Sequence, residues 1–504
     1  MFPNSPGAVN DIPTYQITLS LCVFLVAVWA LRAHRKTGVD KNINLLIVGE
    51  TKGFAFPVPV PQPLSRLGEI LEEGYTKFRN SAFQYRTTRG WEVCVCDDTM
   101  IREYQNASDE YMSLNAFNEH VFETRYTSPG FADSLRHIPI PVLTKALTWS
   151  RKRTGRFHDP YLAELVKETE IGLSDELAHV DSIDCLELSL TIMLRLLGAV
   201  LLGREACHDR ETISLFVRYG SEVPTSGAFI SRLPGFLKPL VAPLCTAPRL
   251  ARRLSRIIEH HLHQHQMRSK QSPQNIGEWL LRWVEDNPQE SFTSKDVADL
   301  LVSVIFGSVH SAGMVLTMCL KELVRRPEYI EPLRENVQAS LKQHGGWTKD
   351  TIESMTKVDS FIKECQRLNP LTPSSISRLT KKDYTFNNGV RVPKGTIILA
   401  PNSPILLDDT FYARPREFDG FRFHRLGQET NKPDNYKITG LDPKSHQFGG
   451  GRHMCPGRQL AADTLRLTIG QILVRYDITG DQCIGHEGPF CCKCPPIQLR
   501  DRPS

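Results

Sequence analysis

The sequence predicts a mainly α-helical fold with small β-sheets, an α+β domain set behind an N-terminal membrane anchor. Three observations carry that prediction. The chain has 504 residues, 40% of them hydrophobic, enough for a large core, and no Ser/Gly-rich run, acidic run or internal repeat divides it. Ser294 to Arg326 contains no proline and spaces its apolar residues by three and four, the period of a helix, and a strand-like stretch comes after Pro370. Ile17 to Leu31 is nearly all apolar, with only Thr18 and Ser20 as weak interruptions.

Extended through Tyr15 and Ala33, that apolar run approaches the ~20 residues that span a bilayer. Asp11 precedes it and Arg32, His34, Arg35, Lys36 and Lys41 follow. The positive-inside rule places that flank in the cytosol. Residues 1–36 therefore read as an uncleaved signal-anchor rather than a removed signal peptide. On this topology the sequon Asn106-Ala107-Ser108 stays unglycosylated. Residues 37–66 form a linker that includes Pro57-Val58-Pro59-Val60-Pro61-Gln62-Pro63, where alternate prolines fix φ and stiffen the hinge. Residues 67–504 make the main domain.

The net charge of +5 is mild for this length and argues against a nucleic-acid partner. Thirteen cysteines are too sparse for a disulfide scaffold. Cys483, Cys491, Cys492 and Cys494 crowd together without two separated Cys-x-x-Cys pairs, so free thiols are expected there rather than zinc.

A helix from Ser294 to Arg326 is ~45 Å long, and Pro327 stops it. Its middle reads Phe306-Gly307-Ser308-Val309-His310-Ser311-Ala312-Gly313. Glycine and serine weaken a helical turn, and clustered together they permit a local opening of the hydrogen-bond ladder. A small-residue packing seam is the alternative. Further on, Glu364 and Arg367 stand three residues apart in a helical stretch, where they share a face and can pair.

Cys455 lies in Phe448-Gly449-Gly450-Gly451-Arg452-His453-Met454-Cys455-Pro456-Gly457-Arg458. Three glycines let the backbone turn tightly and approach a flat ligand. Pro456 suits the first position of a helix, which would put Cys455 at a helix N-terminus that favours the thiolate. A lone cysteine is usually an inert small hydrophobe. On such a loop, beside Arg452 or His453, a thiolate has the character of a haem-iron ligand that promotes O–O cleavage.

The spacing Phe-x-x-Gly-x-His-x-Cys-x-Gly resembles the haem-binding loop of the cytochrome P-450 superfamily, in particular fungal secondary-metabolite members of microsomal type. The resemblance covers nearly the whole chain in order: anchor, hinge, central helix, Glu-x-x-Arg, second arginine motif at Arg414-Pro415-Arg416-Glu417-Phe418-Asp419-Gly420-Phe421-Arg422-Phe423, and haem loop. It implies the family's fold, with haem b between the long helix and the Cys455 loop. It implies Cys455 as the iron's axial ligand and Phe448, Gly451, His453, Gly457 and Arg378 as haem contacts. Arg378 would meet one propionate and His453 a second. Trp149 and Arg153 match a further propionate spacing, with Lys145 as a competitor. Glu364, Arg367 and Arg422 would form a buried structural charge network. In the central helix His310 stands where the family has an acid and Ser311 where it has a threonine. Ser311 keeps the hydroxyl that supports oxygen activation, and His310 would be placed to relay protons.

The implied reaction inserts one atom of O2 into a lipophilic substrate, a terpenoid, polyketide or alkaloid intermediate. Electrons would come from NADPH through a membrane-bound reductase docked near Arg452 and Arg458. The protein would sit in the endoplasmic reticulum membrane, single-pass, with its catalytic domain cytosolic. The apolar stretch of Phe229, Ile230, Leu233, Phe236 and Leu237, broken by Pro224, Pro234, Pro239 and Pro243, would dip into the bilayer and admit substrate. Two alternatives are a haem-thiolate isomerase or dehydratase that needs no reductase, and a non-catalytic haem-binding membrane protein.

Overall fold

The computed structural model describes residues 45–48, 64–87, 89–152, 160–178, 182–268, 273–440, 445–480 and 496–502. The predicted anchor, the prolines at 57–63, Arg153 and the cysteines from Cys483 to Cys494 lie outside the described residues.

The elements that position the site follow in chain order. Helix α1 (Leu67–Phe78) leads into strands β1 (Ala82–Thr87) and β2 (Gly90–Val95), then α2 (Asp98–Gln105), β3 (Met112–Ser113) and α3 (Leu114–Phe122). A helical block comes next: α4 (Ile140–Lys152), α5 (Pro160–Leu177), α6 (Cys185–Leu202), α7 (Arg210–Ser231), α8 (Thr246–Arg268), α9 (Ile276–Asp286) and α10 (Ser294–Arg325). Then come α11 (Ile330–His344), α12 (Thr356–Leu368), β4 (Ser374–Thr380), β5 (Ile397–Pro401), α13 (Arg422–Glu429), α14 (Arg458–Arg475), β6 (Tyr476–Gly480) and β7 (Ile497–Asp501).

The main sheet has the order β1-β2-β5-β4-β3. Strands β2 and β5 pair in parallel; β4 runs antiparallel to β5 with a bulge between Ser375 and Arg378. A second antiparallel pair, β6 with β7, joins Tyr476 to Asp501 and Gly480 to Ile497. Ile183 and Ile497 exchange backbone hydrogen bonds of 3.0 and 2.9 Å, tying that pair to the residues just before α6.

The central helix α10 starts where a capping box can form. The Thr293 side chain accepts from the Asp296 N–H, and the Asp296 carboxylate accepts from the Thr293 N–H at 2.7 Å. Helix α6 opens on Asp184, which accepts from the Leu186 and Glu187 N–H groups. By length and composition α6 and α10 could each cross a membrane, yet most of each apolar window is buried inside the domain. They are core helices packed on each other, and α6 is apolar on every side because neighbours surround it.

Candidate active site

The Cys455 loop is held by its own backbone. The Cys455 N–H donates to the Phe448 carbonyl at 2.8 Å, and the Gly449 N–H to His446 at 2.9 Å. Gly451 has φ +60, and a Cβ there would lie 2.4 Å from the Gln105 carbonyl oxygen, so glycine is required twice over. The loop therefore presses against the end of α2. Asn106, exposed at the same contact, donates its amide to the Arg102 carbonyl at 2.9 Å. A cleft of about 230 Å³ opens alongside, lined by Asp98, Arg102, Gln105, Phe448, Met454 and Arg458 among others.

The following helix does not begin at Pro456 as the sequence suggested. It begins at Arg458 with Gly457 as its N-cap. The N–H groups of Gly457 and Arg458, which have no acceptor inside the helix, face the Cys455 sulfur. Burial pushes the Cys455 thiol up, against the opposing pull of those N–H groups and of the Arg458 guanidinium. A metal cation at the sulfur would supply the charge that makes the thiolate stable.

Arg378 is buried on β4, just beyond the bulge. Its Nη1 donates to the Ser377 carbonyl at 2.8 Å, while Nη2 is buried with no partner. The Tyr104 hydroxyl on α2 is likewise buried and unpaired, and it interacts electrostatically with Arg378. Burial pulls the Arg378 pKa down, and Tyr104 and Asp109 oppose that. Orphaned buried donors are costly unless an acceptor arrives. A planar cofactor carrying carboxylates, with iron for the Cys455 sulfur, supplies that acceptor, so these residues fit haem. His453 hydrogen-bonds through Nε2 to Asp109 at 2.6 Å, and burial first, then Arg378, holds its pKa down. Within the bulge Ile376 has φ 50, a left-handed conformation rare for a β-branched residue.

Glu364, Arg367 and Arg422 come together. Arg367 forks onto Glu364 through Nε at 2.8 Å and Nη2 at 2.9 Å. Arg422 Nε donates to both Glu364 oxygens at 3.2 and 3.3 Å, and the Asp419 N–H adds a bond of 3.0 Å. The remaining guanidinium donors reach carbonyls of Leu406, Pro415 and Glu417. All three charged side chains are buried.

The middle of α10 corrects an expectation. The helix runs unbroken from Ser294 to Arg325. The Ser311 hydroxyl donates to the Gly307 carbonyl at 2.8 Å and also lies 3.1 Å from that of Ser308, bonding back along the helix. The exposed groove on this face arises from the missing side chain of Gly307, where a Cβ would find only Phe131 at 3.7 Å. His310 does not share that groove. Its ring lies over Gly220 of α7, and burial lowers its pKa.

The other expected contacts divide. Trp149 packs against Trp279 of α9, with ring centres 6.4 Å apart, and Lys145 is exposed. Arg452 is exposed; Arg458 is half-buried and turns inward, Nη1 donating to the Cys455 carbonyl at 3.2 Å. Pro224 does not break its segment but sits inside α7, which continues to Ser231. Beyond it Ile230 is buried and Leu233 and Leu237 are half-buried, while Phe236, Leu240 and Leu244 stand 70–73% exposed, with Phe229 at 49%. Sequence reasoning missed Tyr104, Asp109 and Gly220. Each works through a partner distant in sequence, and no local motif marks them.

The family model of the cytochrome P-450 proteins matches residues 91–487. The chain is 41% identical over 461 residues to the cytochrome P-450 monooxygenase janQ of Penicillium janthinellum, covering 90% of this chain and 91% of that protein. It is 40% identical over 482 residues to the monooxygenase atmQ of Aspergillus flavus, covering 94% and 90%. Among solved structures, retinoic acid-bound cyanobacterial CYP120A1 superposes with a TM-score of 0.66 at 18% identity, covering 91% of this chain and all of that one. At that identity the likeness is one of fold.

Proposed function

The chain belongs to the cytochrome P-450 family and is a haem-dependent monooxygenase, and from that premise we propose that Cys455 is the iron's axial ligand in an enzyme of secondary metabolism that hydroxylates or epoxidises a lipophilic intermediate. The observation that carries the reading is the half-buried Cys455 sulfur on its glycine-rich loop, with Arg378, whose Nη2 has no partner among the described residues, acting on His453 of the same loop. When bound, the haem activates O2 so that one oxygen atom enters the substrate and the other leaves as water, using two electrons and two protons.

The chain's own residues divide the remaining work. The N–H groups of Gly457 and Arg458 tune the sulfur. Arg378 neutralises a propionate, and Tyr104 and His453 are the next candidates for that side of the ring. The Ser311 hydroxyl can turn from the Gly307 carbonyl toward the groove and carry a proton there. Exposed Phe236, Leu240 and Leu244 bury into the bilayer and favour entry of a lipophilic substrate from the membrane. NADPH-derived electrons arrive through a membrane-bound reductase at the face holding Arg102 and Arg452, with the domain on the cytosolic side of the endoplasmic reticulum.

The test is the reduced, CO-bound spectrum of the purified chain. A red-shifted Soret band that disappears in Cys455→Ala, together with product formation, is expected. The same band in Cys455→Ala would overturn the assignment.

A further inference from the structure

Helix α10 meets α7 at a point where the fit leaves no slack. A Cβ added to Gly220 would lie 1.6 Å from His310 Cε1 and 1.8 Å from Nε2. The ring rests on bare α7 backbone, at a position where a side chain is absent. Neighbouring contacts hold both helices in place. Tyr219 stacks edge-on against Phe306 with ring centres 5.8 Å apart, and Phe306 lies 6.0 Å from the His310 ring. The Tyr219 hydroxyl donates to the Thr127 carbonyl at 2.6 Å, pinning this side of α7 to the segment after α3.

Both His310 ring nitrogens are buried, and neither makes a well-formed hydrogen bond among the described residues; the Val217 and Phe306 carbonyls lie close by. Leaving such a group without a firm partner is costly. A proton relay needs a partner that can itself give and take a proton, and the groups that approach this ring, the Val217 and Phe306 carbonyls, cannot. What the ring does have is shape, a flat side chain filling a socket that any other residue at 220 would close.

We propose that His310 is a positioning residue. Seated in the Gly220 socket, it sets the separation of α7 from α10 and thereby the height of the substrate chamber over the Gly307–Ser311 groove. That height selects which lipophilic molecules fit. A Cβ at position 220 must evict the ring. Val309, Ala312 and Gly313 are buried on the inner side of α10, whereas Gly307, Ser308 and Ser311 are on its open side. The displaced ring therefore swings over the groove and lowers the usable height.

The inference rests on the haem-thiolate reading, and its test separates the two. Holoenzyme is titrated with imidazole and with 4-phenylimidazole, which share an iron-binding nitrogen but differ in bulk, and binding is read from the Soret shift. In Gly220→Ala, 4-phenylimidazole is expected to bind about tenfold more weakly, roughly 1.4 kcal/mol, while imidazole is little changed. Adding His310→Ala to Gly220→Ala is expected to restore 4-phenylimidazole binding. Equal effects on both probes, or a loss that persists in the double variant, overturns the proposal. If Gly220→Ala yields no haem protein, recovery of the CO-bound band in the double variant supports the socket and failure to recover overturns it. Failure of the haem-thiolate reading would show separately, as a missing band in the unsubstituted chain.

Discussion

Two buried polar groups in this domain have opposite fates. Around Glu364 the carboxylate has its partners: two guanidinium groups and a backbone N–H converge on it, and the spare donors reach carbonyls. Around His310 neither ring nitrogen makes a well-formed hydrogen bond among the described residues. Completing a charge network in a low-dielectric core locks one geometry. An unpaired neutral ring locks nothing by bonding and acts through its shape alone. The haem-side core is thus built for permanence, and the oxygen-side helix contact for a dimension that substitution can change.

The contrast is broken most severely at Glu364. Glu364→Gln strands two buried cations and is expected to remove about 3–5 kcal/mol from a total of roughly 5–15 kcal/mol; thermal melts and yield of haem protein report it. A melt within a degree or two of the parent would deny the network its role. Arg378→Leu is expected to cost less, speeding haem release to apomyoglobin by about tenfold, since a charged hydrogen bond is worth roughly 1.5–3 kcal/mol. Unchanged release would mean that Nη2 does not hold a propionate.

Acid should sharpen the comparison. His310 has a lowered pKa, as do His120, His424 and His453, with burial the leading cause in each. The unfolded chain therefore takes up these protons first. Stability is complete above the ordinary histidine value near 6.5 and is lost as pH falls below it. Asp463 and Glu164, whose pKa values burial raises, work the other way at the lower end of that range. Melting temperature against pH checks the direction, and His310→Asn should flatten the acid limb. A limb as steep as the parent's would assign it to the other three histidines. The smallest stability effect is expected at Ser311→Ala, within about 0.5 kcal/mol, with more peroxide and less product per NADPH consumed. Unchanged coupling would remove the hydroxyl from the proton path.

The parts legible in the sequence are those whose partners are close along the chain or whose residue types are chemically narrow. Glu364 and Arg367 are three apart on one helix, and Cys455 sits among glycines that have few other uses. The extent of α10 was readable from its period and from Pro327, its end falling at Arg325. The start of α14 falls two residues after Pro456, a shift within the ordinary uncertainty of a helix boundary read from local sequence. The ladder across Gly307–Ser311 stays closed even though the Ser311 hydroxyl bonds backward and glycine content alone allowed an opening. His310 could be noticed but not placed, since its socket is a glycine some ninety residues away, and an absent side chain leaves no signal in a pattern.

The bridge between Ile183 and Ile497 has a consequence for the order in which the protein can be made. The strand that completes this edge leaves the ribosome roughly three hundred residues after the segment it pairs with. Through most of synthesis the start of α6, one of the most apolar helices in the domain, waits with that flank uncovered. Vectorial folding can assemble the helical block early, but it cannot close it. A nascent chain stalled before residue 497 should therefore remain a client for chaperones even though nearly all of its core residues have already emerged.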